Sequence, residues 1–173
     1  MTTSEPREAY VWVWLPGAAD PVVAGLLESQ PNGMITFTYG RSYIHRDDAI
    51  ALYLPELPLR PGRIEPLPGL RMPSAIRDAG PDSWGQRVVL ARRTGHLTRD
   101  SDTGDLGPLT YLLESGSNRI GALDFQAQPD VYVHRGSDAT LDQLGSAAQA
   151  LDAGEALPEE RGEALVRGTS IGG

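Results

Sequence analysis

The segment from Pro55 to Pro73 limits the fold of this chain more than any other, because it holds six prolines: Pro55, Pro58, Pro61, Pro66, Pro68 and Pro73. Proline has no backbone N–H to give to a sheet, and it disfavours helix at the residue before it. Apolar residues between the prolines indicate packing against a folded lobe, namely Leu57, Leu59, Ile64, Leu67 and Leu70. We therefore predict an extended connector between a β-rich first part and a helical second part.

Strand patterns dominate the chain before this connector. β-Branched and aromatic residues alternate in 9–15, and the patterns of 21–27 and 34–39 predict two further strands. The turn dipeptide Asn32-Gly33 separates the second strand from the third. We expect an antiparallel meander, with more strand structure at 43–44 and 49–54.

Helical patterns begin after the connector. Ser74 is a candidate N-cap for a first short helix. Asp82 or Ser83 is the candidate N-cap of a longer one. That longer helix is predicted to run from Trp84 to Arg93, and Gly95 is expected to end it.

The rest of the chain mixes both patterns. Helices are predicted at 109–114, at 141–152 after Thr140, and from Pro158 to the C-terminal loop. Strands are predicted at 119–125 and 131–133.

The order of these patterns predicts an α+β fold. Residues 1–60 are expected to form an N-terminal antiparallel β-rich subdomain. Residues 61–173 are expected to form a second, mixed helical and α/β part.

The composition excludes several kinds of site. The chain has no cysteine, and its histidines His45, His96 and His134 have no ligand spacing, so we predict no metal site. The N-terminus has no signal pattern, and no apolar run approaches the ~20 residues that span a bilayer. We expect a cytoplasmic protein without membrane contact.

All fifteen basic residues are arginine, and lysine is absent. Phosphoryl-transfer sites commonly hold nucleotide phosphates with a lysine, which this chain cannot supply. The net charge of −8 also argues against general binding of the nucleic-acid phosphate backbone by this chain. A cluster formed by Arg87, Arg92 and Arg93, with Arg99 nearby, is interpreted as a solvated helix face; contact with phosphate or an acidic partner is the alternative.

No residue of the chain is predicted to be catalytic. No serine lies in a Gly-x-Ser-x-Gly nucleophile elbow. The pair Glu159-Glu160 is interpreted as negative charge that stabilises the N-terminal end of a helix through its dipole, and not as a pair of catalytic carboxylates. Trp12 and Trp14 point the same way on one strand and, like Trp84, are interpreted as core and not as a ligand platform.

The pattern of a ligand-binding loop occurs in the last six residues: Gly168, Thr169, Ser170, Ile171, Gly172 and Gly173. A glycine-rich loop after a helix leaves backbone N–H groups uncovered, and a phosphate needs such groups. An ordinary turn is the alternative interpretation.

Several spaced stretches resemble the HipA family of bacterial toxin kinases. Gly33, Phe37-x-Tyr39 and Leu57-Pro58-Leu59 resemble its N-terminal subdomain. The run from Arg77 to Arg87 is similar to the family's L-P-D-x-W-G-R-R helix entry, with Gln86 in place of one usual arginine. Asn118-Arg119-Ile120-Gly121-Ala122-Leu123 resembles its D-x-x-G-A-L strand, and Ser170-Ile171-Gly172-Gly173 the start of its S-x-x-G-x-x-P-K loop.

The resemblance implies the N-terminal portion of a toxin Ser/Thr kinase, with residues 61–173 forming part of a kinase N-lobe. In the family the loop serine is autophosphorylated, which expels the loop and disables ATP binding; this carries over to Ser170. ATP and Mg²⁺ would be the cofactors of the full-length kinase. None is expected on this chain alone, because the nucleotide lysine, the catalytic Asp and the metal-binding Asp would lie beyond Gly173.

The implied partners are a HipB-like helix-turn-helix antitoxin, operator DNA mainly through that antitoxin, and an aminoacyl-tRNA synthetase as possible substrate of the full kinase. An alternative is a stand-alone antitoxin-type subunit that docks on a separately encoded HipA-like kinase. A structural domain with no nucleotide role is the third interpretation.

Overall fold

A computed structural model of the chain describes residues 5–94, 104, 106–117, 119, 121–136, 149 and 153. Contacts between residues divide the chain into two units. The first consists of 1–79 and 121–133, and the second of 80–120 and 134–173. The domain boundary predicted between residues 60 and 61 stays a prediction.

The first unit contains a five-stranded sheet. Its strands are β1 (Glu8–Val13), β2 (Val22–Ser29), β3 (Ile35–Tyr39), β4 (Arg63–Ile64) and β5 (Leu123–Gln126). They lie in the order β4-β3-β2-β1-β5, and each neighbouring pair is antiparallel. The expected α+β fold with an antiparallel, β-rich N-terminal region is confirmed.

Strand β1 lies inside the sheet, between β2 and β5, and this position explains its sequence. Ala9, Val11 and Val13 are buried on one side, and Trp12 is only 6% exposed on the other. A strand covered on both faces needs the continuous apolar and aromatic run that predicted it. A bulge between Val11 and Trp12 shifts the register against β2.

Two predicted strand segments after β3 are wrong. Residues 43–44 lie in the short helix α1 (Arg41–Ile44), and 49–54 contribute one isolated bridge, between Tyr53 and Leu57. The reason is Tyr43, which is fully buried and stacks on Tyr39 with ring centroids 5.7 Å apart. Tyrosine hydroxyls, and not a neighbouring strand, bind the backbone of this loop.

The proline-rich connector packs against the sheet, as predicted. Leu57 is fully buried, and Ile64 is buried in β4, which pairs with β3. Helix α2 (Ser74–Asp78) follows the connector. The predicted N-cap role of Ser74 is wrong: Pro73 is the N-cap residue, and the Glu56 carboxylate accepts hydrogen bonds from the Ser74 N–H and hydroxyl.

The second unit contains helices α3 (Ser83–Thr94) and α4 (Pro108–Glu114). Both agree with the predicted helices to within a residue or so. Buried residues of the two helices form one apolar cluster: Val88, Val89, Leu90, Ala91 and Tyr111. An ion pair between Arg93 and Glu114, with Nε and Oε1 3.2 Å apart, also joins the helices.

The strand predicted at 119–125 is shorter than expected. β5 begins at Leu123, because Gly121 has a φ of +101°, outside the range of a strand. Residues 131–133, also predicted as a strand, belong to no strand. The Gly95 helix end, the helix from Pro158 and nearly all of the helix at 141–152 lie outside the described residues.

Candidate functional site

The predicted phosphate-binding loop lies outside the described residues. This applies to Gly168, Thr169, Ser170, Ile171, Gly172 and Gly173, and also to Arg99 and Glu159-Glu160. Their roles stay predictions. The described part of the chain offers several other places with polar or exposed apolar groups in a defined geometry.

The stretch that resembles a kinase-family helix entry builds the start of α3. The Asp82 carboxylate accepts a hydrogen bond from the Gly85 N–H at 2.7 Å, which confirms Asp82 as an N-cap. The Gln86 side chain donates to the Pro81 carbonyl at 3.2 Å. Arg87 is exposed, while Arg93 is paired with Glu114, so these two arginines of the predicted cluster have different surroundings.

Trp12 packs as a core residue, as interpreted from the sequence, whereas Trp14 and Trp84 are half-buried. Trp12 is buried and Trp14 is half-buried, and the ring of Tyr132 lies 5.3 Å from the first and 5.2 Å from the second. Trp84 packs against the apolar cluster of the second unit. The indole N–H of Trp12 is buried and finds no acceptor among the residues that the structure describes.

A buried carboxylate lies beside these aromatic rings. Asp124 has no exposed surface and sits opposite Trp12 in the ladder between β1 and β5. Its Oδ2 accepts hydrogen bonds from the Tyr132 hydroxyl at 2.9 Å and the Gln126 amide at 3.2 Å. Its Oδ1 accepts one from the Phe125 N–H at 2.8 Å. Burying a carboxylate costs free energy unless hydrogen bonds compensate for the lost water, and this network supplies three such bonds to Asp124.

Sequence reasoning missed Asp124. It lies between Leu123 and Phe125 in a segment predicted as a strand. An acidic residue in the middle of an apolar strand is the signal that could have identified it, because carboxylates are almost never fully buried without partners.

Two buried tyrosines fix the loop that follows α1. The Tyr39 hydroxyl accepts a hydrogen bond from the Leu52 N–H at 2.9 Å and donates one to the Leu57 carbonyl at 2.7 Å. The Tyr43 hydroxyl donates to the Ile50 carbonyl at 2.9 Å. Burial raises the pKa of both tyrosines, that of Tyr39 to about 12, so both hydroxyls are neutral donors.

This anchored loop exposes three large apolar side chains, which we call the apolar loop patch: Ile50, Tyr53 and Leu54. Leu54 is 71% exposed, although it is only three residues from the fully buried Leu57. Exposed apolar side chains on a loop whose backbone is bound by two buried tyrosines make this patch a candidate contact surface.

An open cleft of about 270 Å³ lies in the same unit, lined by Val22, Val23, Ser42, Tyr43, Arg46 and Pro129. Its one charged lining group, the Arg46 guanidinium, is already bound to both carboxylate oxygens of Asp48, at 2.8 and 3.0 Å. That bond holds the pKa of Asp48 below its ordinary value. The cleft therefore has little charge left to select an anion.

The C-terminal end of α4 is bound by arginines of the second unit. The Arg119 guanidinium donates to the Leu112 carbonyl and the Ser115 hydroxyl, both at 2.7 Å, and Arg135 donates to the Leu113 carbonyl. Positive charge at a helix C-terminus is favourable, because the last carbonyls carry partial negative charge. This arrangement stabilises the helix end.

The described residues contain no group of three or more His, Asp or Glu residues that could hold a metal ion. Within the same residues, no helix is long and apolar enough to cross a membrane.

Comparison with known protein families matches residues 13–126 to the HipA N-terminal domain. Among the described residues, the matched region includes β2 to β5 and the helices α1 to α4, and it covers well over half of the chain. The chain belongs to the HipA N-terminal domain family. No curated protein matches it.

Membership in the HipA N-terminal domain family confirms the resemblance of the motifs that lie within residues 13–126, and makes this a protein of the toxin–antitoxin type. The matched region contains the apolar loop patch, Asp124 itself and the α3 helix entry, whereas Tyr132 lies beyond it. It ends at Gln126, before the glycine-rich stretch.

Proposed function

We propose that this chain is the N-terminal portion of a HipA-like toxin Ser/Thr protein kinase, in which phosphorylation of Ser170 regulates access of ATP. The observation that carries the proposal is the match to the HipA N-terminal domain over 13–126, followed downstream by the glycine-rich stretch 168–173. That stretch has the small residues and hydroxyl groups that suit a loop around a phosphate.

Ser170 is the proposed regulatory residue. A phosphoserine carries about −1.5 to −2 charges at neutral pH. Such a charge on the loop would repel the ATP phosphates and compete with them for the backbone N–H groups of Gly168, Gly172 and Gly173. ATP with Mg²⁺ is the proposed cofactor of the kinase.

Catalysis itself is proposed to depend on residues outside this chain. The chain has no lysine, so the group that holds the nucleotide phosphates in many kinases comes from elsewhere. The catalytic and metal-binding aspartates are assigned to the same outside region.

The proposed partners follow from the family. A HipB-like helix-turn-helix antitoxin would hold the kinase in check in the cytoplasm, and an aminoacyl-tRNA synthetase is the candidate substrate. Operator DNA is expected to bind mainly the antitoxin, since this chain carries a net charge of −8.

The test uses the intact protein that contains this chain, incubated with ATP and Mg²⁺ and digested for mass spectrometry. We expect phosphate on Ser170, its loss in Ser170→Ala, and its retention in the matched control Thr169→Ala. Equal labelling of the same peptide in Ser170→Ala would refute the regulatory role, and so would a wild-type protein without label.

A second candidate function is a stand-alone binding subunit that docks on a separately encoded HipA-like kinase. The observation that favours it is the apolar loop patch, which is exposed although its backbone is fixed by Tyr39 and Tyr43. Such a preorganised surface loses little conformational entropy when it binds.

Binding of the 173-residue chain to such a kinase can be measured by calorimetry. If the patch is the contact, Leu54→Asp should weaken binding about tenfold or more. Leu67→Asp changes another exposed leucine, 47% exposed and outside the patch, and should leave binding unchanged. Equal affinities for all three proteins would exclude the patch as the contact.

A further inference from the structure

Residues Val131–Val133 lie beside β5 but are not a strand of the sheet. Two side-chain bonds hold them there: the Tyr132 hydroxyl donates to Asp124, and the Gln126 amide donates to the Val133 carbonyl at 2.8 Å. Val131 and Val133 are 62% and 55% exposed, with the half-buried Tyr132 between them. Exposed and half-buried side chains that alternate in this way are typical of a strand, so the lack of strand pairing between 131–133 and β5 requires an explanation.

The pairing of β1 with β5 decides which backbone groups of β5 point outward. Trp12 is opposite Asp124 and Val11 is opposite Phe125, and the Trp14 N–H donates to the Ala122 carbonyl. In an antiparallel ladder, every second residue directs its N–H and C=O toward the partner strand. The backbone N–H and C=O groups of Ala122, Asp124 and Gln126 therefore point toward β1, and those of Phe125 point away from it.

Side chains occupy two of the four backbone groups through which Phe125 and Val133 would pair. The Phe125 N–H is bound by the Asp124 carboxylate at 2.8 Å, and the Val133 carbonyl is bound by the Gln126 amide at 2.8 Å. The same Gln126 amide also donates to Asp124 at 3.2 Å. A bridge of two side chains therefore lies between the Phe125 N–H and the Val133 C=O.

The chain length between these groups suits a hairpin. If residues 127–131 formed a five-residue loop, Phe125 would face Val133 and Gln126 would face Tyr132. Tyr132 would then stay on the face of the sheet that carries Asp124, Gln126 and Trp12, where its ring already packs. Closing needs no reversal of side chains.

We propose that Asp124 and Gln126 act as a side-chain spacer that holds this hairpin open. Without the spacer, the Phe125 N–H donates to the Val133 carbonyl, the Val133 N–H donates to the Phe125 carbonyl, and 131–133 becomes a sixth strand. Val133 is the last residue of the first unit, so the spacer determines how the chain leaves the sheet. Asp124 and Gln126 are positioning residues in this device.

Amide hydrogen exchange of the 173-residue chain, followed by NMR, tests the proposal. In the double variant Asp124→Ala with Gln126→Ala, we expect the Val133 amide to exchange about fivefold or more slowly than in the wild type. A cross-strand Hα–Hα contact should appear between Tyr132 and position 126. Tyr132→Phe, which removes one hydroxyl and leaves both spacer residues, should show neither change.

A merely structural role of the network gives the opposite result. Loss of the spacer would then loosen 131–133, and the Val133 amide would exchange at the wild-type rate or faster, which overturns the proposal. The same change in Tyr132→Phe as in the double variant also overturns it. If the double variant does not fold, Gln126→Ala alone frees the Val133 carbonyl and must give slower exchange at Val133.

Discussion

The hydroxyl of Tyr39 donates a hydrogen bond to the carbonyl of Leu57 at 2.7 Å and so joins the end of β3 to the proline-rich connector. The same hydroxyl accepts the Leu52 N–H, and the tyrosine is only 3% exposed. Tyr39→Phe leaves the part-buried Leu52 N–H and the buried Leu57 carbonyl without this partner. We expect the free energy of unfolding to fall by about 1–3 kcal/mol, measured by urea denaturation.

Tyr53→Phe is the matched control, because Tyr53 is 43% exposed and its ring lies at the surface. Its effect should stay within about 0.5 kcal/mol. Equal effects of the two substitutions would mean that the Tyr39 hydroxyl does not fix the loop.

The stability that Tyr39 provides should decline in alkaline solution. Burial raises the pKa of Tyr39 from 10.0 to about 12; the Leu52 N–H opposes this shift and the neighbouring Tyr43 adds to it. The folded protein thus keeps the proton longer than the unfolded chain does. The contribution is complete below pH 10 and is lost as the pH rises from 10 to about 12.

The measurement is the difference in unfolding free energy between the wild type and Tyr39→Phe at several pH values. We expect this difference to be constant up to about pH 9 and to shrink above pH 10. The absence of lysine leaves this alkaline range largely to the tyrosines. A difference that grows with pH would contradict the sign of the shift.

The sequence predicted the strands that lie inside the sheet and missed where the chain departs from the pattern. β1, β2 and β3 are apolar or alternating because they are covered by neighbours, so periodicity finds them. Residues 49–54 and 131–133 are as apolar as the true strands. Their backbone groups, however, are bound by side-chain hydroxyl or amide groups and not by the backbone of a neighbouring strand. These bonds join residues seven and thirteen positions apart, and the alternation of apolar and polar residues within a strand does not reveal them.

Among the polar residues with a defined role, the sequence indicated the one whose hydrogen bond is local and missed those whose partners lie on other segments. Asp82 was one of two helix caps considered from the sequence, and it could be recognised because its bond to Gly85 is local. Asp124 was missed because its role depends on Tyr132 and on the register with β1. Glu56 was missed because its partner, Ser74, is eighteen residues away.

The Glu56 carboxylate should be necessary for the start of α2. It accepts the Ser74 N–H at 2.6 Å and so performs the task of an N-cap side chain from outside the helix. Glu56→Ala is expected to lower the free energy of unfolding by about 0.5–2 kcal/mol. Glu65→Ala is the control, because that glutamate is exposed and its Oε1 lies 3.9 Å from the Arg63 Nη2. Its removal should lower the free energy of unfolding by less than about 0.5 kcal/mol.

Gly25 should tolerate no side chain, although its position in the middle of β2 would ordinarily favour a larger residue. A Cβ there would come within 2.2 Å of the Thr38 carbonyl oxygen and within 2.8 Å of two ring atoms of Phe37. The carbonyl is part of the β2–β3 ladder and the ring is fully buried, so neither moves freely. Gly25→Ala should therefore lower the free energy of unfolding by about 1–3 kcal/mol or more, measured by urea denaturation.

Gly40→Ala separates this clash from the general effect of replacing a glycine. Gly40 has a φ of −63°, and a Cβ there would meet no atom closer than 3.7 Å. Its replacement should change the free energy of unfolding by less than about 1 kcal/mol, because alanine restricts the unfolded chain but is a poorer N-cap than glycine. If Gly25→Ala were as mild as Gly40→Ala, strands β2 and β3 could separate at little cost, and the close approach of Phe37 to the β2 backbone would not be needed for stability.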